Sequence, residues 1–283
     1  MHIEDRKPYT FSNAVGDTLN MLFPGNIYCA ACGNLIDGTR PYALCDRCVR
    51  EIAWHTGETC AVCGKALAPH RTGGVCRECR ERGRAFDAGI SCCAYTGRAR
   101  DLVRSMKYKD AAWIAEKLAD AMYDRWLQLE AERKARDSRT QNELSTPLII
   151  PVPMSETKRR SRGYDQAEVV ARRLARLIDA PFAGNILRRK RDTEVMSGLG
   201  VYERRVNMAD AFEVCPHVRK LIDAGEPAPA DVMLVDDVFT TGSTADACAQ
   251  TLKEAGVRRV TLFTFASGAD VDPTADESGD SVS

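Results

Sequence analysis

The sequence predicts an α/β fold in which helices flank a parallel sheet, preceded by a small cysteine-rich module. Three apolar runs of strand length, at 148–150, 232–235 and 260–265, alternate with segments of helical periodicity. Continuous apolar strands separated by helices are typical of a parallel sheet that is covered on both faces. Eight of the twelve cysteines lie before residue 80, where large apolar side chains are few. This separation predicts two modules.

The composition restricts the possible classes of function. The 283 residues include 40 Lys and Arg and 40 Asp and Glu, so no global positive field recruits nucleic acid or membranes. No apolar run approaches the roughly 20 residues that span a bilayer, and residues 1–23 lack the apolar stretch of a secretory signal. We therefore expect a cytoplasmic protein without membrane insertion, which binds any polyanion through local charge clusters.

The cysteine-rich segment contains an internal repeat of four CxxC pairs, with twelve residues between the two pairs of each half. A CxxC turn directs two thiolates to one point, so two turns form one tetrahedral four-cysteine site. The simplest partition is one zinc at Cys29, Cys32, Cys45 and Cys48 and a second at Cys60, Cys63, Cys76 and Cys79. The spacing alone leaves an interleaved partition open.

Both zinc ions are expected to be structural, because four protein sulfurs leave no coordination position for a reactive water. The metal would replace the apolar core that this segment lacks. Complete four-cysteine sets leave no vacancy for His55 and His70, which we expect at the surface. Cys92 and Cys93 lie in a short apolar stretch, which predicts buried free thiols in a strand.

Patterns along the chain predict four parts, which are a short docking helix at 1–25, the double zinc ribbon at 26–84, the α/β domain at 85–267 and a disordered tail at 268–283. Apolar residues at three- and four-residue spacing predict a helix at 111–136. Asp165, followed three residues later by Glu168, predicts the start of another helix.

The stretch 232–244 carries the clearest chemical pattern. It joins a strand to a helix, which is where open α/β sheets bind ligands. A helix start offers unpaired N–H groups and the positive end of the helix dipole, so it suits a phosphate. The stretch 232–244 has neither the lysine of the GxxxxGK[ST] nucleotide loop nor the GxGxxG spacing of dinucleotide folds. The candidate phosphate ligands are Thr240, Thr241, Gly242, Ser243 and Thr244.

Two adjacent carboxylates, Asp236 and Asp237, precede this loop. They would repel a phosphate unless they bind something else, such as sugar hydroxyls or Mg²⁺. A ribose 5-phosphate satisfies both halves, with its phosphate in the loop and its hydroxyls at the acids. The simpler alternative is a charged turn capped by serine, which does not account for strand, acid pair and hydroxyl-rich loop occurring together.

The run 232–244 resembles the signature with which type I phosphoribosyltransferases bind 5-phosphoribosyl 1-diphosphate (PRPP). Other segments resemble the ComF family of competence-associated proteins over about residues 22–266. These are the double CxxC ribbon, Ile150-Pro-Val-Pro-Met154, Arg162-Gly-Tyr-Asp-Gln-Ala167, Lys107-Tyr108 after Tyr95-Thr-Gly97, and Arg205-Val-Asn207 ahead of Phe212. The resemblance implies a type I phosphoribosyltransferase fold.

The resemblance also implies roles for basic residues. Residues 154–162 would form the pyrophosphate loop, in which Arg159, Arg160 and Arg162 are candidates for binding the diphosphate. Residues 187–212 would form a mobile hood, whose basic side chains either neutralise a leaving diphosphate or form a solvated face. These are Arg188, Arg189, Lys190, Arg191, Arg204 and Arg205. Two positions depart from the family pattern, since Asp165 replaces the usual Asn and Met196 replaces a frequent Gln.

The resemblance leaves two functional hypotheses. In the first, the chain is a phosphoribosyltransferase for an unidentified acceptor, with Asp236 and Asp237 as catalytic residues that fix the ribose. Mg²⁺ and basic groups would then draw diphosphate from C1 of PRPP. In the second, it is a non-catalytic protein that senses PRPP or binds single-stranded DNA through the same basic loops. Both imply a role in DNA uptake beside competence-machinery proteins.

Overall fold

The computed structural model describes residues 27–68, 73–108, 111–136, 146–190 and 211–270. Several predictions lie outside these residues, namely the docking helix at 1–25, all but the start of the 268–283 tail, His70, Arg191, Met196, Arg204 and Arg205. Of the predicted hood, the structure describes only the two ends.

A four-stranded parallel sheet forms the centre of the α/β domain, in the order β1, β6, β5, β2. Its strands are β1 (Ala88–Ala94), β2 (Leu148–Pro151), β5 (Asp231–Phe239) and β6 (Arg259–Ser267). The two ends of the predicted hood form a separate antiparallel pair, β3 (Leu187–Arg189) and β4 (Phe212–Val214).

Eight α-helices and one 3₁₀ helix, Pro41–Ala43, occur within the described residues. The α-helices are α1 (Asp46–Glu51), α2 (Arg77–Arg82), α3 (Gly97–Ser105), α4 (Ala112–Arg136), α5 (Glu156–Arg162), α6 (Gln166–Leu177), α7 (Pro216–Asp223) and α8 (Ser243–Glu254). None of them combines the length and the apolar character that crossing a bilayer requires.

Helices cover both faces of the sheet, which confirms the predicted α/β class. On one face, Met122 of α4 and Leu174 of α6 pack with Phe263 of β6. On the other face, Cys248 and Leu252 of α8 pack against apolar side chains of β5 and β6. Because the central strands are buried on both sides, their sequences are continuously apolar rather than alternating.

The two halves of the cysteine-rich module contact opposite faces of this sheet. Cys29 and Cys48 of the first half belong to the same core as α4 and α6, and Trp54 stacks edge-on against Phe265 of β6, with ring centroids 6.2 Å apart. Cys60 and Cys79 of the second half belong to the core on the α8 side. Each half is therefore fixed to the α/β domain by a different core.

Several predicted elements are confirmed. The helix predicted at 111–136 is α4, and Asp165 caps α6 by accepting a hydrogen bond from the N–H of Glu168, at 3.1 Å. Cys92 and Cys93 are buried free thiols in β1. The strand predicted at 232–235 is longer, because β5 runs through both acids to Phe239.

Most of the segment that the family resemblance assigns to the pyrophosphate loop, 154–162, is helical. Residues from Glu156 to Arg162 form helix α5, because the Ser155 hydroxyl caps its first turn by accepting from the N–H of Lys158. Gly163, with φ of 83°, ends the helix in the left-handed conformation.

Candidate functional site

The predicted phosphate-binding loop connects β5 to α8. The strand ends at Phe239 and the helix begins at Ser243, so Thr240, Thr241 and Gly242 make the turn. Gly242 is the N-cap with φ of 82°, and a Cβ there would lie 2.6 Å from both the Phe239 ring and the Arg84 guanidinium. Only glycine fits this position. The first N–H groups of α8 have no acceptor within the helix, so they are available to an anion.

The five predicted phosphate ligands, Thr240 to Thr244, line a small cavity of about 50 Å³. Asp236 lines it from β5, and Thr264, its partner in the strand register, lines it from β6. Thr264 is almost completely buried, and its hydroxyl has no hydrogen-bond partner among the described residues. The cavity therefore combines the candidate phosphate ligands with a carboxyl group and an unsatisfied hydroxyl.

Burial raises the pKa of Asp236 well above its usual value, and the charge of Asp237 raises it further. Among the described contacts, the backbone N–H of Asp237 opposes these effects by donating to the Asp236 carboxylate at 2.9 Å. These surroundings thus disfavour the ionised form of Asp236, whereas a hydroxyl or cation that approaches it would favour ionisation.

Asp237 lies directly beside Asp236, and a hydrogen bond between the two side chains adds to the raised pKa of Asp236. It does not line the small cavity, but its charge raises the pKa of Lys158. Desolvation lowers the pKa of Lys158 overall, and the charges of Arg189, Arg162 and Lys107 lower it further. Cationic side chains from three parts of the chain therefore converge on the side of Asp237.

A larger cleft of about 460 Å³ lies next to this cationic group. Arg159 lines it together with Arg188, Arg189 and Lys190, which lie at the first end of the predicted hood. Of the other two predicted diphosphate ligands, Arg160 is exposed on α5 outside the cleft lining, and Arg162 donates to the side chain of Gln166. The structure thus brings Arg159 to the cleft and places the other two beside it.

Asp165, Glu156 and Glu168 add acidic groups to the same cleft. Burial raises the pKa of Asp165, although the backbone N–H groups of Glu168 and Met154 counteract this shift. A raised pKa reduces the negative charge that Asp165 presents to a neighbouring anion. Asp165, which replaces the family's usual Asn, still caps the helix, because it accepts from the N–H of Glu168.

Both four-cysteine clusters fit zinc, and the sequential partition is the observed one. Within each cluster the four sulfurs lie within 4.8 Å of one another. A tetrahedron with metal–sulfur distances of about 2.3 Å has edges of about 3.8 Å. The Cys32–Cys45 and Cys63–Cys76 sulfur pairs, at 3.8 and 3.6 Å, match this edge. The two clusters therefore each provide a complete set of zinc ligands.

Backbone geometry prepares the first cluster for a metal. Burial raises the pKa of the Cys29 thiol, but N–H groups of Cys45, Ala31 and Cys32 outweigh it and lower that pKa to about 7. Gly33, with φ of 74°, makes the turn after the second cysteine of its pair. Thiolates that accept backbone N–H bonds are the form that binds zinc.

The chain offers magnesium fewer side-chain ligands than it offers zinc. Within the residues that the structure describes, only the two cysteine clusters bring three or more metal-ligating side chains together. Mg²⁺ is commonly held by one or two carboxylates together with substrate phosphates. A magnesium ion at this site would therefore take most of its ligands from a bound substrate rather than from the chain.

His55 is buried, which contradicts the prediction of a surface histidine. Its Nδ1 lies 3.1 Å from the hydroxyl of Ser91, 36 residues along the chain, and burial lowers the pKa of His55 to about 4. The expectation was wrong because a complete set of zinc ligands excludes metal binding by His55 but does not determine its packing.

Sequence reasoning also missed three residues near the site. Lys158 precedes the predicted Arg159 and Arg160, so the same basic run could have identified it. Thr264 and Arg84 lie outside any motif, and only the strand pairing and the packing of the second cysteine cluster bring them to the loop.

Replacing Asp236 by Asn is expected to stabilise the ligand-free protein at pH 7 by about 1 kcal/mol or more, since one unit of pKa shift corresponds to about 1.4 kcal/mol. A carboxyl whose pKa is raised by folding contributes stability below its unfolded pKa, near 4, and loses it as the pH rises. The advantage of the Asn variant should therefore disappear towards pH 4. Urea unfolding at the two pH values measures this difference, and a less stable variant at pH 7 would contradict the buried carboxyl.

Comparison with known proteins gives consistent findings. A family model described as a double zinc ribbon domain matches residues 18–80. The chain is 29% identical to "Competence protein F" of Haemophilus influenzae over 85% of this chain and 97% of that protein. It is 22% identical to "Competence protein ComFC" of Bacillus subtilis, over 78% of this chain and 83% of that protein. It is 25% identical to "DNA utilization protein YhgH" of Salmonella typhimurium, over 78% of this chain and 89% of that protein.

Proposed function

The chain belongs to the ComF family, and on this premise we propose that it binds PRPP together with Mg²⁺ and transfers or senses the phosphoribosyl group during DNA uptake. The strand and helix arrangement of the α/β domain is consistent with a type I phosphoribosyltransferase fold. The names of its relatives, which refer to competence and DNA utilization, support the role in DNA uptake.

One observation carries the PRPP proposal, namely the order of chemical groups from the start of α8 to the cationic cleft. The loop Thr240–Gly242 and the N-terminus of α8 offer N–H groups and hydroxyls for the 5-phosphate. Asp236 and Asp237 follow on β5, where ribose hydroxyls would lie. Lys158, Arg159 and Arg189 lie beyond them, where a diphosphate would need positive charge. The order of groups matches the order of phosphate, sugar and diphosphate in PRPP.

The chain's own residues would act by binding and orienting the ligand. The loop fixes the 5-phosphate, the two acids fix the ribose, and the basic side chains stabilise charge on the departing diphosphate. When bound, Mg²⁺ supplies further neutralisation of the diphosphate. A hydroxyl that donates to Asp236 would favour its charged form and so oppose the desolvation that raises its pKa.

Binding of the separate halves of the ligand tests this proposal. We expect ribose 5-phosphate and diphosphate each to raise the melting temperature, and PRPP with Mg²⁺ to raise it more than either. Ribose without phosphate should have little effect, because the α8 N-terminus provides the main interaction. Differential scanning fluorimetry measures these shifts. If diphosphate raises the melting temperature and ribose 5-phosphate does not, the phosphate-binding role of the loop is contradicted.

A second candidate function, binding of single-stranded DNA, is favoured by the exposed basic side chains of α5. Arg159 and Arg160 project from this helix beside the cleft, where they could contact DNA phosphates. Such binding should weaken steeply with salt. Two assays separate the candidates. Release of diphosphate from PRPP with an acceptor supports transfer, whereas no release with any acceptor and DNA binding that survives Asp237→Asn support the binding protein.

A further inference from the structure

A buried arginine, Arg84, connects the second cysteine cluster to the phosphate-binding loop, and we propose that it positions this loop for ligand binding. This proposal rests on the proposed function of the loop. Arg84 follows α2, the helix that carries Cys79 of the second cluster, and precedes β1. Its side chain is 3% exposed, and it does not point toward the cationic cleft. It is therefore a positioning residue rather than a ligand of the diphosphate.

Every nitrogen of the Arg84 guanidinium contacts an acceptor. Nη1 donates to the backbone carbonyl of Thr241 at 2.9 Å and to the carboxylate of Asp246 at 3.0 Å. Nε donates to the sulfur of Cys79 at 3.5 Å, and Nη2 forms an ion pair with Glu78 at 2.9 Å. One side chain thus joins a zinc ligand, the turn between β5 and α8, and the first turn of α8.

The contact with Thr241 determines which way the next peptide N–H points. The C=O of Thr241 and the N–H of Gly242 belong to one planar trans peptide, so they point in opposite directions. Because Arg84 binds the C=O from the protein side, the N–H of Gly242 is directed away from Arg84. A free peptide could rotate and present its carbonyl oxygen to the phosphate, which would repel it. Arg84 prevents this rotation.

Packing leaves the guanidinium little room to move. Its centre lies 5.2 Å from the centroid of the Phe239 ring, and Lys65 approaches the same ring at 5.1 Å. Lys65 in turn donates to Glu78 at 2.8 Å, and Asp246 also accepts from the N–H of Ala85 at 3.0 Å. A buried charge in such a network is costly to leave unpaired, so each partner holds the others in place.

The second cysteine cluster anchors this network. Cys76 is the N-cap of α2 and Cys79 lies within it. A metal bound by both cysteines would therefore fix the helix that supplies Cys79 and Glu78 to Arg84. The first cluster packs against the opposite face of the sheet and has no such connection to the loop among the described contacts. The double ribbon therefore contains one cluster that supports the ligand site and one that does not.

The test compares Arg84→Gln with Arg47→Gln. Arg47 is an exposed arginine of the first ribbon that pairs with Glu51, so it controls for loss of one positive charge. In Arg84→Gln we expect faster amide hydrogen exchange over residues 240–246 without ligand, and ribose 5-phosphate affinity lower by about tenfold, or 1.4 kcal/mol. Zinc content should be unchanged. Arg47→Gln should resemble the unchanged protein in all three measurements.

The two readouts separate this proposal from the proposed function. Unchanged exchange over 240–246 in Arg84→Gln would overturn the positioning role, whether or not the ligand binds. Faster exchange with no ribose 5-phosphate binding by the unchanged protein would support the positioning role and contradict the proposed function. If Arg84→Gln does not fold, Asp246→Asn provides the same test, because it removes one Arg84 contact from the first turn of α8 while retaining side-chain volume.

Discussion

Removal of zinc is expected to unfold the double ribbon, residues 27–84, and to destabilise the whole protein. Structural zinc contributes about 10 kcal/mol or more to folding in small ribbons, and the two clusters share cores with opposite faces of the sheet. The purified chain should contain about two zinc ions. Elemental analysis and circular dichroism during treatment with a chelator measure both quantities.

Matched cysteine variants sharpen this experiment. Cys45→Ser should lower the zinc content to about one ion per chain, because Cys45 belongs to the first cluster. Cys215→Ser alters a buried cysteine outside both clusters and should retain about two. A metal-free protein that keeps its fold and melting temperature would contradict the assignment of the clusters as structural.

The double variant Asp236→Asn/Asp237→Asn is expected to lose the PRPP-induced rise in melting temperature. At 100-fold excess of ligand over its Kd, binding stabilises a protein by about 2.7 kcal/mol. For a chain of this size that corresponds to a rise of roughly 5–10 °C. The variant should shift by less than about 1 °C, because it lacks both groups that would bind the ribose and the metal.

Each shift in this experiment is measured against the variant's own ligand-free melting temperature, since Asp236→Asn alone is expected to stabilise the free protein. Asp37→Asn/Asp46→Asn removes two exposed carboxylates from the first ribbon and should keep the full rise. If the acid variant retains the rise as well, the ribose does not lie at these acids.

The sequence predicted the layers of the fold because its signals are local. Helix α4 and the Asp165 cap of α6 follow from residue spacing and capping chemistry within a few residues. Continuous apolar runs identified the parallel strands for the same reason. The CxxC spacing identified the eight zinc ligands, but it left their partition open, because only the three-dimensional path of the chain brings Cys29 to Cys45 rather than to another pair.

What the sequence did not predict depends on contacts between distant residues. His55 is buried because Ser91 and β1 cover it, and Arg84 reaches Thr241 across 157 positions of the chain. The extension of β5 through both acids to Phe239 also exceeds the apolar run that predicted this strand. The local signals for α5, the Ser155 cap and Gly163, are present in the sequence, although the family resemblance assigned this segment a role rather than a secondary structure.

The most direct test of the central claim is a crystal structure of the protein soaked with ribose 5-phosphate and Mg²⁺. We expect the phosphate oxygens to lie about 2.7–3.2 Å from backbone nitrogens in the turn after β5 and the first turn of α8, with the sugar hydroxyls next to Asp236 or Asp237. A saturating soak that leaves this turn empty, or that places the phosphate only on the basic side chains of the cleft, would contradict the claim.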